Sequence, residues 1–355
     1  MTTASTVIGK NKQLRIVFLR LRSLGDTVLM TPLLAVAKRT RCEVAVSVEA
    51  PFHEILLGNP NVDQLFVIPR EGNKLLARGR AIREIRAFQP DLAIDLHGGT
   101  TSSWMTFFSK ARQRVGYASS RNSYLYNLKV PNSQQVWGKQ ELHTVEHQLA
   151  FLKHLDFPVE PLPRPEIHLT ATEIAQARQK LQEAGVEGPF TLVHPAAAFD
   201  TKQWPAEHFA EVSRELSRER TKVIVTAGPG EESVLEKVRS QGAGSALFLP
   251  PLPLRLFAAV TSLCRLYIGN DTGATHIAAA LGRPIVVIFG SSDYRAWYPW
   301  QSEYRMIRHD LPCVPCPGYH CLHYEKPLCI RSVSPQAVLE AARSMYATNQ
   351  QVAID

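Results

Sequence analysis

The stretch LYIGNDTGATHIAAALGRPIVVIFG, Leu266 to Gly290, holds a complete structural unit. A short β-branched and aromatic run, Leu266 to Ile268, breaks into the polar turn Gly269-Asn270-Asp271-Thr272-Gly273. The helix-forming segment THIAAALG starts at once, and a second apolar run, Ile285 to Phe289, follows. Apolar strands joined through a helix belong to a parallel sheet covered on both faces. Free N–H groups at such a helix start, beside a hydroxyl and a glycine, form an anion site suited to a diphosphate. Asp271 has a second reading as a helix cap, and His276 as a satisfied core histidine.

The same alternation runs through most of the chain. Ile16 to Leu21, Val44 to Val48, Gln64 to Ile68 and Leu92 to Leu96 read as strands separated by helices. After the proline-rich PVEPLPRPEIHL, Pro158 to Leu169, and a helix near Thr172 to Ala184, the pattern restarts with Leu192 to His194, Lys222 to Thr226 and the two runs quoted above. The expected fold class is α/β: two doubly wound Rossmann-like domains, residues 1–180 and 181–355, facing a central cleft at the carboxyl ends of both sheets. Their boundary falls between about 165 and 190. The last helix is a candidate to pack back on the N-terminal domain. A chain of 355 residues also exceeds what one core usually serves.

Charge divides along the same line. Residues 1–180 carry 24 Lys and Arg against 15 Asp and Glu, a net of +9, and residues 181–355 carry 16 against 17, a net of −1. A basic half suggests an anionic partner: nucleic acid, a phosphorylated glycan or an acidic membrane surface. Lys10, Lys12, Arg15 and Arg20 surround an apolar run too short for a signal-peptide core, and no run is long enough to span a bilayer, so a cytoplasmic protein is expected.

Three further strand ends carry polar turns. SLGDTVLMTP, Ser23 to Pro32, exposes one carboxylate, Asp26, at a helix start. Its lone Gly25 cannot supply a three-glycine dinucleotide turn. Asp26 reads as a helix N-cap, or as a carboxylate that accepts a proton from a positioned hydroxyl. LVHPAAAFDTKQWPAEHF, Leu192 to Phe209, places small residues and then Lys202 before a Trp-Pro helix start. Lys202 is either a solvated lysine or a point charge for a phosphate. VIVTAGPGEESVLEKV, Val223 to Val238, puts Glu231 and Glu232 in a helix's first turn, where they favour the macrodipole or accept from a ribose diol. No Asp-x-Asp triplet is present to hold a divalent ion on a diphosphate. Charge on a leaving group would then fall to Lys202 and the helix start, as metal-independent transfer requires.

Cys42 and Cys264 sit in apolar surroundings as core thiols. Cys313, Cys316, Cys321 and Cys329 form a Cys-x2-Cys-x4-Cys-x7-Cys group. Four thiolates at short spacing can bind structural zinc, but this spacing fits no standard module, and a reduced loop without metal is the expectation.

Taken in order, RLRSLGDTVLMTPLL, LAIDLHGG, RVGY, HPAAAFDTKQWP, GPGEE and the IGNDTGATHIAAALGRPIVVIFG turn resemble the family 9 glycosyltransferases, the ADP-heptose:lipopolysaccharide heptosyltransferases. The likeness covers roughly residues 14–345. It implies a GT-B architecture whose N-terminal domain holds the acceptor and whose C-terminal domain holds an ADP-sugar. By the same resemblance Asp26 is the general base of an inverting transfer and Lys202 stabilises departing ADP. Asp271 contacts the sugar, and Thr272, Gly273 and His276 line the diphosphate and sugar-proximal site. Glu232 takes the ribose, with Glu231 the competing register, and Leu252 packs the adenine. Gly25, Ala196 and Ala197 are the remaining substrate-contact positions. Relatives can carry hydroxyl side chains where this chain has Ala196, Ala197 and Ala198, so phosphate contacts there must come from backbone.

The implied partners are an ADP-heptose donor and an acidic lipid-linked glycan acceptor, the lipopolysaccharide inner core, with peripheral contact to the inner membrane, no nucleic acid and no required cofactor. NKLLARGRAIREIRAF sets Arg80, Arg83 and Arg86 at three-residue spacing, as a face for the acceptor or the inner leaflet or as a solvated helix face. Two other functions fit the same outline. A sugar-nucleotide epimerase of GT-B shape would act on donor alone, and a nucleotide-sugar or glycan-binding module would bind without turnover.

Overall fold

The computed structural model describes residues 13–316 and 318–351; Lys10 and Lys12 lie outside them. The chain divides after His168 into two units, each built on a six-stranded, all-parallel sheet.

In chain order the first unit comprises β1 (Arg15–Leu19), α1 (Leu24–Leu29), α2 (Thr31–Arg39), β2 (Glu43–Glu49), β3 (Gln64–Ile68), α3 (Lys74–Phe88), β4 (Leu92–Asp95), α4 (Thr100–Phe108), β5 (Gln113–Tyr117), β6 (Leu128–Val130), α5 (Ser133–Trp137) and α6 (Thr144–His154). Its sheet order is β3-β2-β1-β4-β5-β6. β1 is central, and Ile16, Val17, Phe18 and Leu19 are all fully buried, which is why it reads as unbroken apolar sequence. Each such side chain contributes about 1.5–3 kcal/mol relative to exposure.

The second unit repeats the plan with α7 (Ala171–Glu183), β7 (Phe190–His194), α8 (Ala206–Arg218), β8 (Lys222–Val225), α9 (Glu232–Ser240), β9 (Leu247–Phe248), α10 (Leu254–Leu263), β10 (Leu266–Asn270), α11 (Gly273–Ala280), β11 (Ile285–Phe289), α12 (Tyr294–Trp297), β12 (Tyr304–Arg308), α13 (Leu328–Arg331) and α14 (Pro335–Gln351). Its order, β12-β11-β10-β7-β8-β9, is the first sheet's order with β7 in the place of β1. Both sheets therefore reverse direction once, between β1 and β4 and between β7 and β10. Open α/β sheets bind ligands beyond the strand ends at that reversal.

The division lies within the 165–190 range and twelve residues before 180/181, because α7 packs on α10 of the second unit, where Arg255 forms a bidentate pair with Glu173 at 2.7 Å. On the last helix, α14, Val338, Leu339, Ala342 and Met345 are buried in the second unit's own core beside Trp204 and Phe209. No helix among the described residues is long and apolar enough to cross a membrane.

Candidate active site

In the first unit the loops after β1 and β4 meet at the sheet reversal. Ser23, not Asp26, is the N-cap of α1. Asp26 is the third residue of that helix, and its Oδ2 accepts from the Ser23 hydroxyl (2.9 Å) and, at 3.3 Å, from the Ser23 N–H. This is a capping box, in which the helix start fixes the carboxylate's rotamer. The other oxygen, Oδ1, forms an ion pair with Arg20, and both side chains are about 15% exposed. Arg20 is itself anchored by donating to the Leu96 carbonyl at 2.5 Å, across to the end of β4. Gly25 is buried in the same turn of α1.

The LAIDLHGG motif builds the opposite wall. Buried Asp95 accepts the N–H groups of His97 (3.0 Å) and Gly98 (2.8 Å) and folds the loop back. Its second oxygen accepts from the Tyr126 hydroxyl at 2.7 Å. Tyr126 can reach it because Gly116, the glycine of RVGY, has no side chain: a Cβ there would stand 2.2 Å from the Tyr126 ring. His97 is half-buried within electrostatic reach of Arg20, Asp95, Arg22 and Asp26. Burial first, and Arg20 next, hold its pKa below the usual 6.5, so its ring is neutral at neutral pH. Arg80 and Arg83 do not join this cluster through any hydrogen bond or ion pair among the described residues; they stand exposed on α3.

In the second unit the corresponding loops follow β7 and β10. Lys202, on a single helical turn Asp200–Lys202, donates to Asp271 Oδ2 at 2.9 Å, and the Ser292 hydroxyl donates to the same oxygen at 2.5 Å. Asp271 is 3% exposed, so the pair is neither a helix cap nor a solvated lysine. Thr272 is the residue at the N-cap of α11, and its hydroxyl caps none of the first-turn N–H groups. Gly273 opens the helix, and His276 is buried within it, its ring 6.2 Å from Trp297. Lys202, Ser292, Trp297, Cys316 and Tyr319 line a cavity of about 390 Å³, within the range of small-ligand sites.

The alanine turn after β7 is closed rather than open. Gln203 accepts from the Ala197 N–H at 2.8 Å and donates to the Pro195 carbonyl at 2.5 Å, while Asn270 donates to the same carbonyl at 2.9 Å. Ala196 is buried, and the Ala197 N–H is taken up by Gln203. Glu231 turns inward: it accepts the Gly228 N–H at 2.7 Å and lies 3.6 Å from Nε2 of His194, whose burial lowers its pKa. Glu232 is exposed and accepts the Gly230 N–H at 3.1 Å. Leu252 is buried, with its N–H on the Ala227 carbonyl at 3.1 Å.

Cys42 and Cys264 are buried core thiols, the second raised by burial to about 12. Cys329 is also buried, and burial raises its thiol to about 11. Cys316 anchors the cysteine loop through its N–H on the Ser291 carbonyl at 2.8 Å, and Tyr319 packs on Phe199 with ring centroids 4.6 Å apart. Among the described residues no three His, Cys, Asp or Glu side chains converge where they could hold a metal ion.

Arg20, His97, Tyr126, Gln203 and Ser292 are the site residues that sequence reasoning missed. Arg20, His97 and Gln203 lay inside motifs already singled out, whereas Tyr126 and Ser292 act on partners 31 and 21 positions away.

Two parallel sheets of one repeated order, each reversing once, are the two-domain α/β plan of the GT-B fold. The family model Glycosyltransferase family 9 (heptosyltransferase) matches residues 78–326, and the chain belongs to that family. It is 26% identical to lipopolysaccharide heptosyltransferase 1 of Pseudomonas aeruginosa, over 94% of this chain and 98% of that one. Among solved structures it resembles a family 9 glycosyl transferase from Veillonella parvula (TM-score 0.79, 22% identity, 94% of this chain and 97% of that one). A second is the E. coli ADP-heptose lps heptosyltransferase II (TM-score 0.76, 20% identity, 95% of this chain and 100% of that one).

Proposed function

We propose that this chain transfers a heptose from ADP-heptose to the inner core of lipopolysaccharide, with inversion at the anomeric carbon. Family membership supports the reaction class, and the names of the Pseudomonas and E. coli relatives support donor and acceptor. The observation that carries the chemistry is the pairing of Lys202 with the buried Asp271 beside a ligand-sized cavity.

In this reading the first unit holds the acceptor and Asp26 takes the proton from its attacking hydroxyl. The hydroxyl oxygen bonds to the anomeric carbon, the bond from that carbon to the diphosphate oxygen breaks, and ADP departs. Asp26 suits the step because Ser23 and Arg20 fix its orientation before substrate arrives. Neutral His97 accepts or donates one hydrogen bond to the same hydroxyl region. Lys202 and the N–H groups of α11 at Thr272 and Gly273 meet the charge that builds on ADP, with no metal called for. Asp271 and His276 contact the sugar, Leu252 the adenine, and Glu232 or Glu231 the ribose. The net charge of +9 on residues 1–180 supports an acidic, lipid-linked acceptor reached from the cytoplasmic face of the inner membrane.

The direct test is ADP release from ADP-heptose with and without a lipid A-Kdo acceptor. Acceptor-dependent release with matching glycan product is the expected result. Conversion of donor alone would assign the chain to epimerase chemistry, and tight donor binding with no turnover would make it a binding module.

A further inference from the structure

Helix α4 turns all three of its aromatic side chains outward. Its inward face sets one apolar side chain, Met105, among small polar ones: Ser102, Ser103 and Thr106 are fully buried, and the Ser102 and Thr106 hydroxyls donate to main-chain carbonyls one turn back. Its outward face carries Trp104, Phe107 and Phe108, each 40% exposed. The three rings cluster, with centroids 5.9, 5.6 and 5.4 Å apart. A surface helix normally turns its apolar stripe to the core, and a contiguous exposed aromatic patch marks an interaction surface.

The rim of the patch is cationic. Arg86 of α3 donates to the Phe108 carbonyl at 2.6 Å, and the Arg114 guanidinium stands 5.5 Å from the Phe107 ring. Lys110 and Arg112 are exposed immediately after the helix. A protein partner that covered the rings would also strip water from these cations. A bilayer interface made of anionic lipid takes both at once: aromatic rings lie at the boundary between headgroups and acyl chains, while Lys and Arg sit among phosphates.

We propose that the Trp104-Phe107-Phe108 face of α4 and its Arg86, Lys110, Arg112 and Arg114 rim dock the chain on an anionic bilayer surface. This deepens the peripheral membrane placement of the preceding reading, yet it is drawn from α4 and its surroundings alone, and its test involves no sugar transfer.

The test is flotation of the full chain with phosphatidylcholine vesicles containing about 30% phosphatidylglycerol, and with phosphatidylcholine alone. Binding should be confined to the anionic vesicles and should weaken with salt. Combined Trp104→Ser, Phe107→Ser and Phe108→Ser should reduce it at least about tenfold, and Lys110→Gln with Arg112→Gln by several-fold. Circular dichroism of each variant checks folding. In the native fold, brominated acyl chains should quench tryptophan fluorescence, and Trp104→Phe should remove most of that quenching. Equal vesicle binding by the serine variant and the native chain would overturn the proposal. So would a native chain that ignores vesicles but forms a dimer that the serine substitutions dissociate, since the patch would then join two copies.

Discussion

Asp26 is held from both sides before any substrate arrives. Ser23 grips one carboxylate oxygen and Arg20 the other, and Arg20 is tied to Leu96. The facing wall is set by a chain of single contacts: Gly116 leaves room for the Tyr126 ring, Tyr126 donates to Asp95, and Asp95 folds the loop that presents His97. Ser103 also reaches Asp95, at 3.3 Å, so a carboxylate deprived of Tyr126 keeps one weak side-chain donor. Tyr126→Phe should therefore destabilise the first unit by about 1–3 kcal/mol, read from denaturant midpoints. It should also lower kcat for transfer with little change in KM for the donor; an equal loss in donor affinity would place Tyr126 in a different role. Sequence made Asp26 conspicuous, because one carboxylate after a buried strand has few purposes. It did not make Arg20 or Tyr126 conspicuous. Both act through space on residues six and 31 positions away, and no local pattern encodes such a contact.

At the level of elements, interior strands buried on both faces are written as apolar runs: β11 matches its sequence-based bounds, and β1, β2 and β4 match within two residues at each end, while the edge strand β3 was legible from its apolar, β-branched run LFVI. The other edge strands, β6, β9 and β12, were not, and neither was interior β5. β6 and β9 contain three and two residues, too few to show a period, and β12 mixes Arg with apolar residues as edge strands do. α7 was found as a helix but divided between the two domains, since its membership depends on a tertiary pair, Arg255 with Glu173. That pair yields a pH prediction. The Arg255 hydrogen bonds hold the Glu173 carboxyl down to about 2 from 4.5. A depressed carboxylate pKa contributes stability that is complete above 4.5 and disappears as pH falls toward 2. Glu173→Gln should thus lower the unfolding midpoint at pH 7, and the gap between variant and native chain should close between pH 4.5 and 2. A gap independent of pH would mean the side chain acts by packing alone.

Across the whole molecule, the repeated 3-2-1-4-5-6 order assigns each unit one ligand edge, and the candidate residues gather at both. Charge then distinguishes the halves of the chain: the excess of cations belongs to residues 1–180, while residues 181–355 are close to neutral and pair Lys202 with Asp271. This division matches a reaction between an acidic acceptor and a nucleotide-sugar. The α/β two-sheet plan and the sugar-transfer family could be inferred from residue order. The closed state of the alanine turn could not, because Gln203 reads as an ordinary polar residue until the loop is folded around it. The claim on which the proposed mechanism depends is that Asp26 removes the acceptor's proton. The most direct measurement is single-turnover transfer from ADP-heptose to a lipid A-Kdo acceptor by the native chain and by Asp26→Asn, with donor affinity measured on both. A fall of about 10²–10⁴-fold in the transfer rate at unchanged donor affinity is expected. Transfer by Asp26→Asn at the native rate would contradict it.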